Sequence, residues 1–158
     1  MDLQYVKRNR ENVLTKFTDI CELEQPQLFM PLYKKFFNLN ETNYNSISLN
    51  HEFFIDTITK KISENTYECN VKKDSHDPEL LTNVFIKYSP LVDPLKYMIG
   101  KYDTISILPE FNPESMNEIQ EMINDPNNLS YVDSFFSYLS SKLSEETQFM
   151  GGIRYYGG

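Results

Sequence analysis

Apolar residues recur along this chain with two different periods. In the first forty residues and again after residue 112 they return every three or four positions, whereas between residues 52 and 88 they alternate with polar residues. The first spacing predicts amphipathic helices, and the second predicts half-buried β-strands. We therefore expect an α+β fold in which packed helices accompany a small antiparallel sheet.

The N-terminal part of the chain has the helical pattern. The spacing predicts an amphipathic helix over residues 4–24, which Pro26 ends, and a second short helix over residues 28–37. Residues 38–50 are rich in Asn and Ser and predict a polar loop. We expect this loop to separate an N-terminal helical element, residues 1–50, from an α+β domain, residues 51–158.

The middle of the chain has the strand pattern. Alternation predicts an antiparallel hairpin from Ile55 to Lys72, with its turn at Ser63–Asn65. After a charged loop, Val84–Tyr88 predicts another strand, which Ser89-Pro90 ends. Phe85 and Lys87 share one face of that strand, because successive side chains of a strand point to opposite faces.

Two short elements follow this strand. Asp93-Pro94 predicts a helical turn with Pro94 in its first position and Gly100 at its end. Its apolar side chains are expected to pack inward, namely Leu95, Met98 and Ile99. Residues 104–108 predict a strand.

The last third of the chain predicts two helices and a strand. Asn112-Pro113-Glu114 has the residues of a helix start, and the apolar stripe that follows ends at Asp125-Pro126. The clearest helix spans Ser130 to Leu143. Its expected inward face consists of Val132, Phe135, Phe136, Leu139 and Leu143, and the other face is rich in serine. Residues 153–156 predict the start of a strand, so we expect the chain to be a fragment of a longer protein.

Composition narrows the classes of partner. The 158 residues carry a formal net charge of −8. Binding to nucleic acid requires a basic surface, so we expect no nucleic-acid partner. No apolar run is long enough to cross a membrane, and no secretory signal begins the chain. Cys21 and Cys69 are far apart in sequence and form no paired motif, which favours a reducing compartment.

One candidate for chemistry is Lys87, which ends the run Val84-Phe85-Ile86-Lys87. The similar run Val-Ala-Ile-Lys is the protein-kinase signature that places a lysine against the phosphates of ATP. The structural alternative is that Lys87 lies on a sheet edge and protects it from aggregation. His51 and His76 have no convergent set of ligands for a metal site.

Several segments in the second half resemble a family of viral proteins. They are Phe85–Pro94, Lys96–Tyr102, Tyr131–Leu139 and Tyr155–Gly157. These segments resemble long proteins of nucleocytoplasmic large DNA viruses, of the giant-virus and iridovirus type, some of which are described as serine/threonine kinases. The resemblance implies the N-terminal lobe of a kinase-like protein, ATP as its ligand with Mg²⁺ in the full-length parent, and the host cytoplasm or the virion as its location. On this mapping Lys87 holds the α- and β-phosphates of ATP.

The chain departs from the kinase pattern in ways that affect activity. The predicted hairpin contains no glycine, so it cannot form a glycine-rich loop over phosphates. The helix from Ser130 to Leu143 contains Asp133 but no glutamate to pair with Lys87. The catalytic loop and the Asp-Phe-Gly metal site are absent from these residues, so we expect the isolated chain not to transfer phosphate.

Two functions are therefore open at the level of sequence. The first is a non-catalytic, nucleotide-binding lobe of a viral kinase-like protein, in which Lys87 contacts a carboxylate within a cleft. The second is a virion-associated or protein-interaction domain that binds an unidentified protein partner. The second function predicts an exposed apolar patch built from Phe36, Phe37, Tyr97 or Tyr155.

Overall fold

A computed structural model of the chain describes residues 3–7, 18–21, 25–73, 77–102, 108–147 and 149–158. These ranges contain five strands, three numbered α-helices and a further helical stretch at residues 18–21. The strands are β1 (Tyr5–Lys7), β2 (Ile47–Leu49), β3 (Phe54–Ser63), β4 (Thr66–Lys72) and β5 (Leu80–Phe85). The helices are α1 (Pro94–Met98), α2 (Glu118–Asn124) and α3 (Leu129–Thr147), and two short 3-10 helices cover Pro31–Lys35 and Tyr44–Ser46. The α+β class is confirmed.

The larger sheet is an antiparallel meander in the order β3-β4-β5. Its first two strands form the predicted hairpin, with Ser63 paired to Thr66 next to the turn. The central strand β4 has the alternating burial expected from its sequence. Tyr67, Cys69 and Val71 are buried, whereas the residues between them are only partly buried.

The third strand of this sheet differs from the prediction at both ends. We predicted a strand over Val84–Tyr88, but β5 starts at Leu80 and ends at Phe85. β5 ends there because its partner strand β4 has no further residue with which it can pair. Phe85 pairs with Thr66, the first residue of β4, and the Ile86 amide bonds to the carbonyl of the turn residue Asn65 at 2.8 Å. Lys87 therefore lies just beyond the sheet.

A second sheet of two strands replaces parts of the predicted N-terminal helix and polar loop. β1 and β2 pair antiparallel, with Tyr5 opposite Leu49. The prediction of a helix is thus wrong for residues 5–7, and that of a loop is wrong for residues 47–49. Both strands are only three residues long, too short for a period of two to be recognised. Residues 18–21 are helical as predicted, and the rest of the predicted helix lies outside the described residues.

The shorter helices agree with the sequence in part. The predicted helix over 28–37 is a 3-10 helix over Pro31–Lys35. α1 starts at Pro94, where the Asp93 carboxylate accepts hydrogen bonds from backbone amides, and Gly100 follows with a φ of 67°. The inward packing of its apolar side chains was wrong, because Leu95, Met98 and Ile99 are all exposed. The strand predicted for residues 104–108 falls almost wholly outside the described residues.

α2 begins later than predicted. Asn112-Pro113-Glu114 does not start a helix; the first helical residue is Glu118. Asn117 is the N-cap, and it forms a capping box with Gln120 that satisfies backbone amides on both sides. This reciprocal pair outweighs the single Asn-Pro signal. α2 ends at Asn124, before Asp125-Pro126, as predicted.

α3 has the predicted position but a different buried side. Its buried residues are Tyr131, Phe135, Tyr138 and Ser141. Of the five residues expected to face inward, Phe135 is buried, whereas Val132, Phe136 and Leu143 are exposed. The amphipathic tyrosines occupy the core, and each places its hydroxyl group on a polar partner. Tyr131 donates to the Ile123 carbonyl at 2.8 Å, and Tyr138 lies 2.5 Å from Asn50 Oδ1.

The buried side chains form two hydrophobic clusters. The sheet cluster comprises Cys21, Ile55, Ile58, Tyr67, Cys69, Val71 and Val84. The helix cluster comprises Leu32, Tyr33, Ile47, Leu49, Tyr131, Phe135, Tyr138 and Tyr155. Tyr155 belongs to the helix cluster, and the next residue, Tyr156, packs against the sheet cluster. The predicted strand over 153–156 is not formed, since these residues have no regular secondary structure.

The helix cluster includes residues from both sides of the predicted domain boundary at residue 50. Ile47 and Leu49 precede that boundary, and Tyr138 follows it. The division into residues 1–50 and 51–158 stays a prediction. The N-terminal part of the described chain nevertheless packs directly on α3.

The burial of α3 can be tested by truncating two aromatic side chains of this helix. Tyr138 has no exposed surface, whereas Phe136 is 66% exposed. We expect Tyr138→Ala to lower the free energy of unfolding by about 3–5 kcal/mol, because it leaves a cavity in the helix cluster. Phe136→Ala should cost less than about 1 kcal/mol. Urea denaturation followed by circular dichroism measures both values, and a larger loss for Phe136→Ala would contradict this orientation of α3.

Candidate functional site

A cleft of about 460 Å³ lies where the end of β5, the first half of α3 and residues 153–158 meet. Ile55 and Val84 of the sheet cluster form part of its wall. The side chains that give the cleft its chemical character are Phe85, Lys87, Ser130, Asp133, Arg154 and Tyr156. A cavity of this volume falls in the range of small-molecule sites.

The end of β5 and the residues just after it contribute Phe85 and Lys87 to the lining of this cleft. Val84 is buried in the sheet cluster, so the neighbouring Phe85 side chain points away from that core and is 65% exposed. Lys87 follows two residues later and also lines the cleft. Its Nζ lies 2.5 Å from Asp133 Oδ2 on α3, and the two side chains are 61% and 45% exposed. The lysine therefore contacts a carboxylate, as the nucleotide-binding hypothesis requires.

Hydrogen bonds hold the segment after β5 against the start of α3. Ser130 Oγ donates to the Pro90 carbonyl at 2.6 Å and lies 2.9 Å from Ser89 Oγ. Asn128, which also accepts a bond from the Ser130 amide, donates through Nδ2 to the Leu91 carbonyl at 2.8 Å. These contacts fix the chain on the C-terminal side of Lys87, while β5 fixes it on the other side. Lys87 is thus presented from a backbone that is anchored at both ends.

The serine-rich side of α3 carries the C-terminal segment. The Tyr155 amide donates to Ser141 Oγ at 3.0 Å. Gly152 lies so close to the helix that an added Cβ would come within 2.6 Å of the Ser140 carbonyl oxygen. Small side chains on both partners permit this approach. The consequence is that Arg154, between these two contacts, is one of the residues that line the cleft. Its guanidinium carbon lies 4.6 Å from the centre of the ring of Phe53, which is not a lining residue.

The charges of the cleft differ from those of the whole chain. Among the side chains of the described lining residues, those of Lys87 and Arg154 are cations and that of Asp133 is the one anion. The lining side chains thus sum to one positive charge in a chain whose formal net charge is −8. An anionic ligand with an apolar or aromatic part fits this combination.

The candidate residues identified from the sequence lie in different places in the structure. Lys87 lies at the cleft but beyond the strand on which it was predicted. His51 is buried, and its ring meets the ring of Tyr155 edge-on at 5.0 Å between centroids. His76 lies outside the described residues. No group of three His, Cys, Asp or Glu side chains is placed to hold a metal ion in the described part of the chain.

Sequence reasoning missed Phe85 and Arg154 as residues of this cleft. Phe85 could have been found, because it shares a strand face with Lys87. Arg154 could not, since its position depends on how the irregular C-terminal segment lies on α3. The sequence analysis identified Asp133 on the helix, but it expected a glutamate as the residue that pairs with Lys87. The shorter aspartate reaches Lys87 because the two backbones are held close together by the Ser130 and Asn128 hydrogen bonds.

Of the four residues expected to form an exposed apolar patch, Tyr97 and Phe36 are exposed, at 55% and 45%. Tyr97 lies on α1, where Leu95, Met98 and the following Ile99 are also exposed. The Phe36 ring stacks on that of Phe135. Phe37 is half-buried among aromatic rings, and Tyr155 is buried.

Comparison with known proteins adds no family to this description. No protein-family model matches the chain, and neither a curated protein nor a solved structure matches it. In the residues that the structure describes, none of the helices is long and apolar enough to span a membrane. Function must therefore be argued from the cleft itself.

Titratable groups with altered pKa values lie in the sheet cluster behind the cleft. Burial is the main cause that raises the pKa of Cys69, to about 11, and that raises the pKa of the Cys21 thiol. The pKa of Tyr67 is also raised, first by its hydrogen bond with Tyr88, at 3.2 Å between hydroxyl oxygens, and then by burial. All three groups are therefore held in their neutral forms.

These shifts predict that the fold loses stability in alkali. An unfolded cysteine titrates near pH 8.5, whereas folded Cys69 keeps its proton up to about pH 11. Its contribution to stability is therefore complete below about pH 8.5 and is lost as the pH rises towards 11. We expect the urea midpoint to fall over this range, and to fall less steeply in Cys69→Ala. Val71→Ala, an equally buried substitution on β4 without a titratable group, should keep the wild-type slope; equal slopes in all three proteins would refute this assignment.

Proposed function

We propose that this chain is a nucleotide-binding lobe of a kinase-like protein from a large DNA virus, with Lys87 as the residue that contacts the phosphates. The observation that carries the proposal is the ion pair between Lys87 and Asp133 at the wall of a cleft of about 460 Å³. In protein kinases the corresponding lysine pairs with a carboxylate on a helix. Here α3 supplies that carboxylate, after the hairpin and β5 in the same chain order.

The ion pair suits a positioning role more than a structural one. Both side chains are substantially exposed, and exposed ion pairs contribute little to stability, typically about 0–1 kcal/mol. The carboxylate does, however, restrict the directions in which a long lysine side chain can point. In this proposal Asp133 orients Lys87 towards the cleft, where the ammonium group can donate to phosphate oxygens.

Phe85 supports a nucleotide over a simple anion. Phe85 is among the residues that line the same cleft, and 65% of it is exposed, so its ring is accessible to a ligand. Stacking between a base and an aromatic side chain contributes about 1–3 kcal/mol. The cleft thus offers a cation for the phosphates and an aromatic face for the base within three residues of one another.

ATP fits the described residues better than a resident metal does. Mg²⁺ in nucleotide sites is held by phosphate oxygens and one or two carboxylates. Among the described lining residues Asp133 is the one carboxylate, and Lys87 already engages it. These residues can hold the nucleotide, and the further groups needed for phosphate transfer are not in this sequence. The proposed role of these 158 residues is therefore binding without catalysis, in the host cytoplasm or the virion.

The proposal is tested by thermal unfolding with Mg-ATP. A ligand at one hundred times its Kd stabilises the folded protein by about 2.7 kcal/mol, or about 5–10 °C for a chain of this size. Loss of a charged hydrogen bond costs about 1.5–3 kcal/mol, so Lys87→Ala should reduce the shift to about half or less at the same ATP concentration.

Lys60→Ala is the matched control for this experiment. Lys60 is 64% exposed and pairs with Glu68 at 3.3 Å, much as Lys87 pairs with Asp133, but it does not line the cleft. The shift should be unchanged in this variant. Absence of a shift in folded wild-type protein, or equal loss in both variants, would count against a nucleotide site at Lys87.

The alternative function is a protein-interaction domain that binds its partner through α1. The observation in its favour is that four neighbouring residues in the sequence, Leu95, Tyr97, Met98 and Ile99, all expose apolar side chains. Exposed apolar surface of this kind is typical of an interface. This function requires no nucleotide, and it is compatible with a cleft that binds no ligand.

The alternative predicts position-specific cross-linking to a partner protein. A photoreactive phenylalanine in place of Tyr97 should cross-link to that partner in infected-cell extract, and Leu95→Glu with Met98→Glu should abolish the product. The same probe in place of Leu129, an exposed apolar residue elsewhere, should give no such product. Identical products from both positions would rule out α1 as a specific interface.

A further inference from the structure

The cleft contains a second cation that the kinase resemblance does not assign. Arg154 lines it together with Lys87, although the two residues are 67 positions apart in the chain (154 − 87 = 67). Its place is set by the Tyr155–Ser141 hydrogen bond and by the close approach of Gly152 to α3. Arg154 is a lining residue because this irregular segment packs on the helix.

Arg154 differs from Lys87 in how its charge is balanced. Lys87 is paired with Asp133 at 2.5 Å. Among the described residues no carboxylate forms an ion pair with Arg154, whose charged group instead lies over the ring of Phe53. The ring contact restrains the plane of the guanidinium group and leaves its N–H groups at the edge of that plane available. The positive charge of the cleft is thus concentrated at Arg154.

We infer that Arg154 is a second phosphate-binding residue, and that the ligand of this cleft is a di- or triphosphate and not a monophosphate. This inference rests on the proposed function, since it assigns a further contact within the same cleft. A planar guanidinium group binds two oxygens of a phosphate at once, whereas an ammonium group acts as a single point charge. Two cations from separate segments of the lining, one just after β5 and one in the C-terminal segment, suit a chain of phosphates that contacts both.

The test uses inorganic phosphates as probes, so that base stacking does not contribute. Calorimetric titration of the 158-residue chain with orthophosphate, pyrophosphate and tripolyphosphate should give affinities that increase in that order. Arg154→Met removes the charge and keeps a flexible, unbranched apolar side chain. We expect it to weaken tripolyphosphate binding by about 10- to 100-fold, as for other charged hydrogen bonds, and to leave orthophosphate binding at Lys87 nearly unchanged.

Matched variants separate this inference from the proposed function. Arg154→Lys should fall between wild type and Arg154→Met, because it restores the charge without the planar group, and it serves as well if Arg154→Met fails to fold. Lys60→Ala should bind as wild type. If Lys87→Ala loses binding and both Arg154 variants retain the wild-type affinity for tripolyphosphate, Arg154 is not a phosphate ligand although the nucleotide proposal stands. If folded wild-type protein binds none of the probes and no ATP, both fail.

ATP as a further probe identifies the source of the phosphates. A Kd for ATP below that for tripolyphosphate, with the Arg154→Met loss preserved, supports a nucleoside triphosphate as ligand. Equal Kd values with the loss preserved support the Arg154 assignment for an inorganic polyphosphate and count against the nucleotide. Equal binding of wild type and Arg154→Met to both probes overturns the assignment.

Discussion

The burial of Tyr138 sets the rotation of α3, and the cleft depends on that rotation. With Tyr131, Phe135 and Tyr138 directed into the helix cluster, the positions beside them carry the serine residues that contact other segments. Ser130 then meets Pro90, and Ser141 meets the Tyr155 amide. Because residues three and four apart lie on one side of a helix, Asp133 also faces the segment that carries Lys87. A rotation that buried the more apolar residues, Val132 and Phe136, would remove these contacts together.

The cleft is lined in part by segments without regular secondary structure. The residues after β5 and the C-terminal segment are irregular, exposed at several side chains, and tied to α3 by individual hydrogen bonds instead of a continuous ladder. Binding residues commonly lie on such segments, held by a more rigid scaffold. The sheet cluster behind the cleft provides that scaffold, with Tyr67 and Cys69 fully buried on its central strand. An anion would enter between a rigid sheet and a helix whose position is fixed by aromatic packing.

Prediction from sequence succeeded where one local signal was strong and unopposed. The hairpin of β3 and β4 was found because Tyr67, Cys69 and Val71 alternate with polar residues along β4. The ends of α2 at Asp125-Pro126 and of α1 before Gly100 were found because proline and glycine act locally. Prediction failed where an element depends on contacts with a segment that is distant in the sequence. β5 ends at Phe85 because its partner Thr66 is the first residue of β4. α1 exposes apolar side chains because no described segment packs over them. The predicted start of α2 at Asn112-Pro113 was wrong because the capping box of Asn117 and Gln120 sets the first helical residue instead.

The sequence by itself determined the α+β class, the hairpin, the long helix and the candidate status of Lys87, since each depends on residues close together in the chain. Tertiary structure decided which face of α3 is buried, that Asp133 pairs with Lys87, and that Arg154 joins them in one cleft. These facts depend on contacts between segments 40 or more residues apart, such as Ser130 with Pro90. Periodicity cannot choose between a phenylalanine and a tyrosine for the core; the hydrogen-bond partners available to the tyrosine hydroxyl groups make that choice.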